Sequence, residues 1–233
     1  MPRYPRVFLA AFPHHIVHRG HDRKPVFAED ADYRYYLANL LEQMEQRQVG
    51  LYAWCLMSNH VHLLLEPITD GSALSELMRV VAARQTRYVN RLECRSGTLW
   101  EGRFKCSLVD RVEYLWACCR YIELNPVRAT MVSTPEDYAW SSFRTRCGLV
   151  EGESPVPPLL PLDIGSGEDA HGYAEFVRSA TCSEVDETVR TALRRNQLTG
   201  SERFREEIAR KLGRRMSARG PGRPRAGDDS GGK

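Results

Sequence analysis

The sequence lacks two features that define large classes of proteins: a long apolar run and a closely spaced pair of cysteines. Its longest apolar stretches span only a few residues, such as 63–65, whereas a membrane-spanning helix needs about 20. The apolar stretch at 7–12 is closed by Pro13 and is too short for a secretion signal. We therefore expect a cytoplasmic protein with no membrane partner.

The seven cysteines form an odd set without any C-x-x-C spacing. Zinc-finger modules require such pairs, so this class is excluded. In a chain without secretory features, we expect the thiols to be reduced and mostly buried. Any metal site must therefore use histidines and oxygen ligands.

The chain has 233 residues, of which 42% are hydrophobic and 27% are charged. This length allows one full domain and a smaller second unit. Residues 148–171 contain four prolines and five acidic residues but no Lys or Arg, which predicts a linker. We expect a first domain over 1–147, helices within 172–213 and a disordered basic tail over 214–233.

Basic residues are concentrated in two zones, although the net charge is only +3. Residues 208–225 hold seven basic residues and no acidic one, and residues 79–111 hold eight basic and three acidic residues. Two such zones on a nearly neutral chain indicate a polyanionic partner. Each zone taken alone could also be an ordinary solvated surface.

Hydrophobic periodicity before residue 148 predicts the order strand, helix, strand, strand, helix, strand, helix. The predicted strands are 14–18, 49–57, 60–66 and 104–109, and the predicted helices are 30–47, 71–94 and 110–126. This order predicts an α+β fold, namely a ferredoxin-like or RRM-like antiparallel sheet with helices on one face, plus a C-terminal helical basic extension. The other face of the sheet would be free for a ligand.

A His-x-His motif begins the third predicted strand. Because side chains alternate along a strand, His60 and His62 point to one face and Val61 points to the other. Two neighbouring imidazoles on one face can chelate a metal ion. They could equally be plain surface residues of an open sheet, so a third ligand is needed.

The helix predicted over 110–126 carries a polar and aromatic stripe beside its apolar face. The members of this stripe, at steps of four, three and four residues, are Tyr114, Cys118, Tyr121 and Asn125. A phenol and a carboxamide four residues apart can face the same small volume, although both tyrosines could simply border the core. Tyr88 falls on the apolar face of the preceding helix and is expected to be packed.

A row of arginines lies along one flank of the second predicted helix. Its members, at steps of three, four and four residues, are Arg84, Arg87, Arg91 and Arg95. Such a row suits contact with a phosphate backbone. A salt-bridged helix surface is the ordinary alternative.

Three sequence motifs resemble those of a known family in their order and spacing. They are N-H-V-H-L-L-L from Asn59, L-W-E-G-R-F-K from Leu99 and R-Y-I-E-L-N-P-V-R-A from Arg120. Over about residues 10–145 the chain resembles the single-tyrosine HUH transposases of bacterial insertion sequences, and specifically the REP-associated tyrosine transposases.

The resemblance implies that His60 and His62 bind a divalent metal ion and that Tyr121 is the catalytic nucleophile. It places the third metal ligand at Asn125, where many relatives have Gln. The family implies Mg²⁺ or Mn²⁺, whereas imidazole ligands by themselves favour manganese or zinc. The residues expected to bind DNA are Arg84, Arg87, Arg91, Arg95, Arg103, Lys105, Arg223 and Arg225.

The implied function is the cleavage and rejoining of single-stranded DNA that forms hairpins, such as REP elements, through a 5′-phosphotyrosine intermediate. This partner agrees with the basic zones and would associate the protein, as a monomer or homodimer, with the nucleoid. Residues 220–225 resemble an AT-hook core, which would contact the duplex minor groove. The alternatives are a non-catalytic nucleic-acid-binding module on the same sheet and, more weakly, a zinc hydrolase.

Overall fold

The computed structural model describes residues 6–150, 157–162, 170–179 and 183–213. Four strands form one antiparallel sheet: β1 (His14–Arg19), β2 (Val49–Met57), β3 (His60–Pro67) and β4 (Lys105–Leu108). The helices are α1 (Asp30–Arg47), α2 (Ala73–Leu92), α3 (Leu115–Glu123), α4 (Asn125–Arg128), α5 (Ser142–Arg146), α6 (Ala170–Arg178), α7 (Ser183–Arg195) and α8 (Glu202–Leu212). None of the helices in these ranges is long and apolar enough to cross a membrane.

The strand order across the sheet is β2-β3-β1-β4, so that β1 and β3 are the central strands. This topology confirms the predicted ferredoxin-like fold. Helices α1 and α2 cover one face, because their apolar stripes meet the side chains that alternate strands point toward them. The residues buried at this face include Ile16, Tyr36, Leu40, Trp54, Leu63, Leu65, Leu77 and Val81.

The second face of the sheet is covered as well, contrary to the expectation that it would be free for a ligand. Side chains from α3, α5, α6 and α7 are buried against it. The reason lies in β2 and β3, whose apolar side chains point to both faces of the sheet. Leu63 and Leu64, for example, are neighbours in β3 and point to opposite faces. Strands of this composition are buried on both faces.

The helix predicted from Asp110 begins five residues later, at Leu115. Asp110 caps a turn instead, because its carboxylate accepts a hydrogen bond from the backbone N–H of Val112 at 3.0 Å. At the other end, α3 stops at Glu123 and α4 follows directly. Pro126 lies in the first turn of α4. Backbone N–H groups at this position have no acceptor within the helix, so proline, which lacks the N–H, is tolerated there.

The segment between α7 and α8 covers the open edge of β4. The backbone N–H of Thr199 donates to Leu108 and its carbonyl accepts from Asp110, both at 2.8 Å. The side-chain oxygen of Asn196 accepts from the N–H of Cys106 at 3.0 Å. These bonds give hydrogen-bond partners to backbone groups at the edge of the sheet. Without them, the exposed edge of β4 could pair with a strand of another chain.

A buried carboxylate connects α6 to α3 and α5. Glu123 is fully buried, and its two oxygens accept hydrogen bonds from Ser142 at 2.5 Å and from Tyr173 at 2.6 Å. Burial raises the pKa of Glu123 to about 7. Since an unpaired buried carboxylate is costly, both hydroxyl groups are needed at this position.

The substitution Tyr173→Phe should therefore lower the free energy of unfolding by about 1–3 kcal/mol, because one oxygen of Glu123 loses its donor while the ring still packs. Denaturant unfolding followed by circular dichroism measures the change. Tyr35→Phe is the matched control, since the Tyr35 hydroxyl makes no hydrogen bond to a described residue. Equal effects of the two substitutions would contradict the role given to Glu123.

Strand β1 buries two histidines on the α1 and α2 side of the sheet. His14 donates to the carbonyl of Phe12 at 2.7 Å, and His18 donates to the carbonyl of Gly102 at 2.9 Å while its ring stacks on Trp100 at 4.1 Å. Burial lowers the pKa of both imidazoles to about 4. Both are therefore neutral in the folded protein at neutral pH.

The fold should lose stability as the pH falls from about 6.5 to about 4. Over this window the histidines of the unfolded chain bind protons, whereas the buried imidazoles of His14 and His18 do not. Each of these two histidines therefore accounts for a loss of up to about 3 kcal/mol in unfolding free energy. The slope of unfolding free energy against pH should be smaller in His18→Phe, which keeps the ring stacking but does not titrate. Urea unfolding between pH 7.5 and 4.5 measures both slopes, and equal slopes would contradict this assignment.

Candidate active site

His60 and His62 lie on β3 and point to the second face of the sheet, where α3 packs. Their ring centroids are 5.1 Å apart. Burial lowers the pKa of His60 to about 4, with a further contribution from the charge of Arg19. Burial also holds the pKa of His62 well below its ordinary value, assisted by the neighbouring His15. Both imidazoles are thus neutral at neutral pH, which is the form that binds metal ions.

The Nδ1 atoms of both histidines are held by neighbouring side chains. His60 Nδ1 donates to the side-chain oxygen of Asn59 at 2.6 Å, and the Asn59 amide donates in turn to the carbonyl of Arg23 at 3.0 Å. His62 Nδ1 lies 3.0 Å from Nε2 of His15. Within the described residues, the Nε2 atoms of His60 and His62 make no hydrogen bond.

The Tyr121 side chain reaches the same place from α3. Its ring is 6.1 Å from that of His62 and 5.8 Å from that of His15, in both cases edge to face. The side chain is only 7% exposed. The structure therefore brings the predicted nucleophile and the predicted metal-binding pair together within a single chain. By contrast, Tyr88 stacks on Tyr35 between α1 and α2, away from this face.

Asn125 lies at the junction between α3 and α4. Its amide nitrogen donates to the carbonyls of Tyr121 at 2.8 Å and Ile122 at 3.2 Å, which continues the bonding of the end of α3. The side-chain oxygen makes no hydrogen bond with any described residue. It is this oxygen that could serve as a metal ligand.

The donor set fits a divalent ion such as Mn²⁺ in its chemistry: two neutral imidazoles on one face and a carboxamide oxygen one turn after the tyrosine. Among the described residues, no group of three His, Cys, Asp or Glu side chains is arranged around one metal position. The protein ligands of such an ion would therefore be His60, His62 and the side-chain oxygen of Asn125.

Two arginines next to Tyr121 were not identified by the sequence pattern. Arg128 donates to the backbone carbonyl of Tyr121 at 2.9 Å, and its guanidinium carbon lies 4.9 Å from the centre of the Tyr121 ring. A hydrogen bond with the Tyr121 hydroxyl raises the pKa of Arg190, which lies on α7. Asp186, also on α7, pairs with Arg128 at 2.5 Å. Helix α7 thus contributes two charged residues near the tyrosine: Asp186, through its pair with Arg128, and Arg190.

The residues expected to bind DNA occupy different settings. Arg84 pairs with Glu42 of α1 at 2.6 Å, and Arg95 pairs with Glu93 at 3.2 Å. Four others are exposed, namely Arg87, Arg91, Arg103 and Lys105. Arg223 and Arg225 lie outside the described residues. Lys105 is opposite Val17 on the neighbouring strand, which itself pairs with His62, so Lys105 shares the face of the candidate site.

A family model described as "Transposase IS200 like" matches residues 10–125, a segment that contains His60, His62, Tyr121 and Asn125. Through this segment the chain belongs to the IS200-like transposase family. The family predicted from the sequence motifs is thereby confirmed.

Two solved structures resemble this IS200-like transposase. One is a REP-associated tyrosine transposase bound to a REP hairpin, with a TM-score of 0.56, 18% identity, and coverage of 72% of this chain and 98% of that chain. Because the two sequences are only 18% identical, this likeness shows that the two proteins share a fold. The other is a putative transposase from Deinococcus radiodurans, with a TM-score of 0.35, 22% identity, and coverage of 50% and 89% respectively. No curated protein matches the sequence.

The substitution Asp186→Asn should loosen α7, because it removes one charge of a largely buried pair whose side chains are 26% and 11% exposed. We expect a loss of about 1–3 kcal/mol in unfolding free energy and faster amide exchange in α7 but not in α1. Glu207→Gln, which breaks the exposed pair with Lys211 on α8, should cost less than about 1 kcal/mol. Similar losses in both variants would contradict the described role of Asp186.

Proposed function

We propose that this IS200-like transposase cleaves and rejoins single-stranded, hairpin-forming DNA of the REP type through a 5′-phosphotyrosine on Tyr121. His60, His62 and Asn125 would hold a Mg²⁺ or Mn²⁺ ion. The observation that carries the proposal is the proximity of the Tyr121 ring to that of His62 at 6.1 Å, next to two imidazoles whose Nε2 atoms make no hydrogen bond to any described residue.

When bound, the ion supplies polarisation of a phosphate oxygen and charge neutralisation at the phosphorus. The Tyr121 phenol loses its proton and its oxygen attacks the phosphorus. The bond from phosphorus to the 3′-oxygen breaks, and that oxygen takes up a proton to give a free 3′-hydroxyl. Because one phosphoester replaces another, a second 3′-hydroxyl can reverse the step and join the DNA without ATP.

The two arginines beside Tyr121 assist this step. Phenols ionise only well above neutral pH, so a nearby positive charge is needed to favour the phenolate. Arg190 contacts the hydroxyl and Arg128 lies against the ring. Both arginines lie in the same chain as Tyr121 and the two histidines.

The DNA partner is supported by charge and by likeness of fold. Exposed Lys105 shares the face of the site, and exposed Arg103 lies close to it in sequence. A protein of the same fold is bound to a REP hairpin. The basic residues would neutralise phosphates and make affinity dependent on salt.

Tyr121→Phe should abolish the covalent protein–DNA adduct while binding of hairpin DNA persists, because only the phenolic oxygen is lost. His60→Ala and His62→Ala should abolish Mn²⁺-dependent cleavage. Both substitutions should reduce hairpin binding less than they reduce cleavage. Denaturing gels with labelled single-stranded hairpins detect the adduct, and filter binding measures affinity. Asn125→Ala should be milder, since water can occupy a vacated ligand position.

Tyr88→Phe and Tyr114→Phe are the controls and should form the adduct normally. Adduct formation by Tyr121→Phe together with its loss in Tyr114→Phe would show that the nucleophile is wrongly assigned. If no tyrosine matters and hairpins bind normally, the protein is a non-catalytic nucleic-acid-binding module.

A further inference from the structure

His15 lies on β1 beside His62 and is fully buried. Along β1, Ile16 points into the α1 and α2 core, so His15 points to the second face, toward His62 and Tyr121. Its Nε2 is 3.0 Å from Nδ1 of His62, and the two rings are 5.3 Å apart. The two residues of this bond are 47 positions apart in the sequence.

The direction of this hydrogen bond decides whether His62 can bind a metal ion. A neutral imidazole has one N–H group and one nitrogen with a free lone pair. If His62 Nδ1 donates to His15 Nε2, the lone pair of His62 Nε2 is free for the ion. If His15 donates instead, the proton of His62 is on Nε2 and blocks ligation.

Among the described residues, His62 is the one hydrogen-bond partner of the His15 ring, and the bond is made at Nε2 of His15. The other nitrogen, Nδ1, is buried without a hydrogen-bond partner among the described residues. An apolar residue would fill the same space without this unpaired nitrogen, so packing alone does not account for an imidazole here.

We propose that His15 is a positioning residue for the metal site: its Nε2 accepts a hydrogen bond from His62 Nδ1, which fixes the ring and leaves His62 Nε2 as the ligand. The inference rests on the metal site of the proposed function. Asn59 holds His60 in the same way, with an amide oxygen as the acceptor. Such partners of metal-binding histidines are usually carboxylates or backbone carbonyls, and here one of them is a second imidazole.

Three variants separate this role from simple packing. His15→Leu removes the acceptor but keeps an apolar side chain, and should weaken Mn²⁺ binding about 10- to 100-fold. His15→Gln places an amide oxygen near the former Nε2 position and should restore most of the affinity. His14→Leu, which removes a buried imidazole facing the opposite side of the sheet, should leave the affinity unchanged. Calorimetric titration of the full chain with Mn²⁺ alone, without DNA, measures all three.

Nitrogen-15 NMR of the imidazoles tests the hydrogen bond in the metal-free wild-type protein, without relying on any variant. His62 should be protonated on Nδ1 in the wild type and in His15→Gln, and on Nε2 in His15→Leu. A wild-type His62 protonated on Nε2, or equal Mn²⁺ affinities for the wild type and His15→Leu, would overturn the proposal. If the wild type itself binds no Mn²⁺, the metal site of the proposed function fails, and the NMR result still decides the direction of the bond.

Discussion

The candidate site depends on the strict alternation of side chains along β3 between two buried environments. Val61 and Leu63 enter the core with α1 and α2, while His60 and His62 face α3. A slip of one residue would exchange the two sets and bury both imidazoles in an apolar core. Because β3 pairs with β1 on one side and β2 on the other, its register is fixed from both edges.

The parts of this architecture that depend on local periodicity could be predicted from the sequence. The hydrophobic periodicity of strands and helices predicted the order of the elements. The alternation of side chains along β3 predicted that His60 and His62 point to the same face. The helical spacing of Tyr121 and Asn125 placed them on one stripe. The family motifs then indicated which of the tyrosines faces the histidines, which periodicity by itself left open.

The remaining features depend on contacts between residues distant in sequence, and periodicity carries no information about these. The partnership of His15 with His62 requires the register of β1 against β3. The pairing of Arg84 with Glu42 requires the packing of α1 on α2. Arg190 comes to Tyr121 only because α7 folds back onto α3, covering a sheet face that was expected to be free.

The assignment of Tyr121 as the nucleophile is tested most directly by locating the covalent bond. The protein is incubated with a single-stranded hairpin and Mn²⁺, the DNA is trimmed with nuclease, and the tryptic peptides are analysed by mass spectrometry. Trypsin cleaves after Arg120 and Arg128, which isolates Tyr121 in a peptide without another tyrosine, while Tyr114 falls in the preceding peptide. We expect the nucleotide mass on the peptide of Tyr121; its presence on the peptide of Tyr114, or on any other, would contradict the assignment.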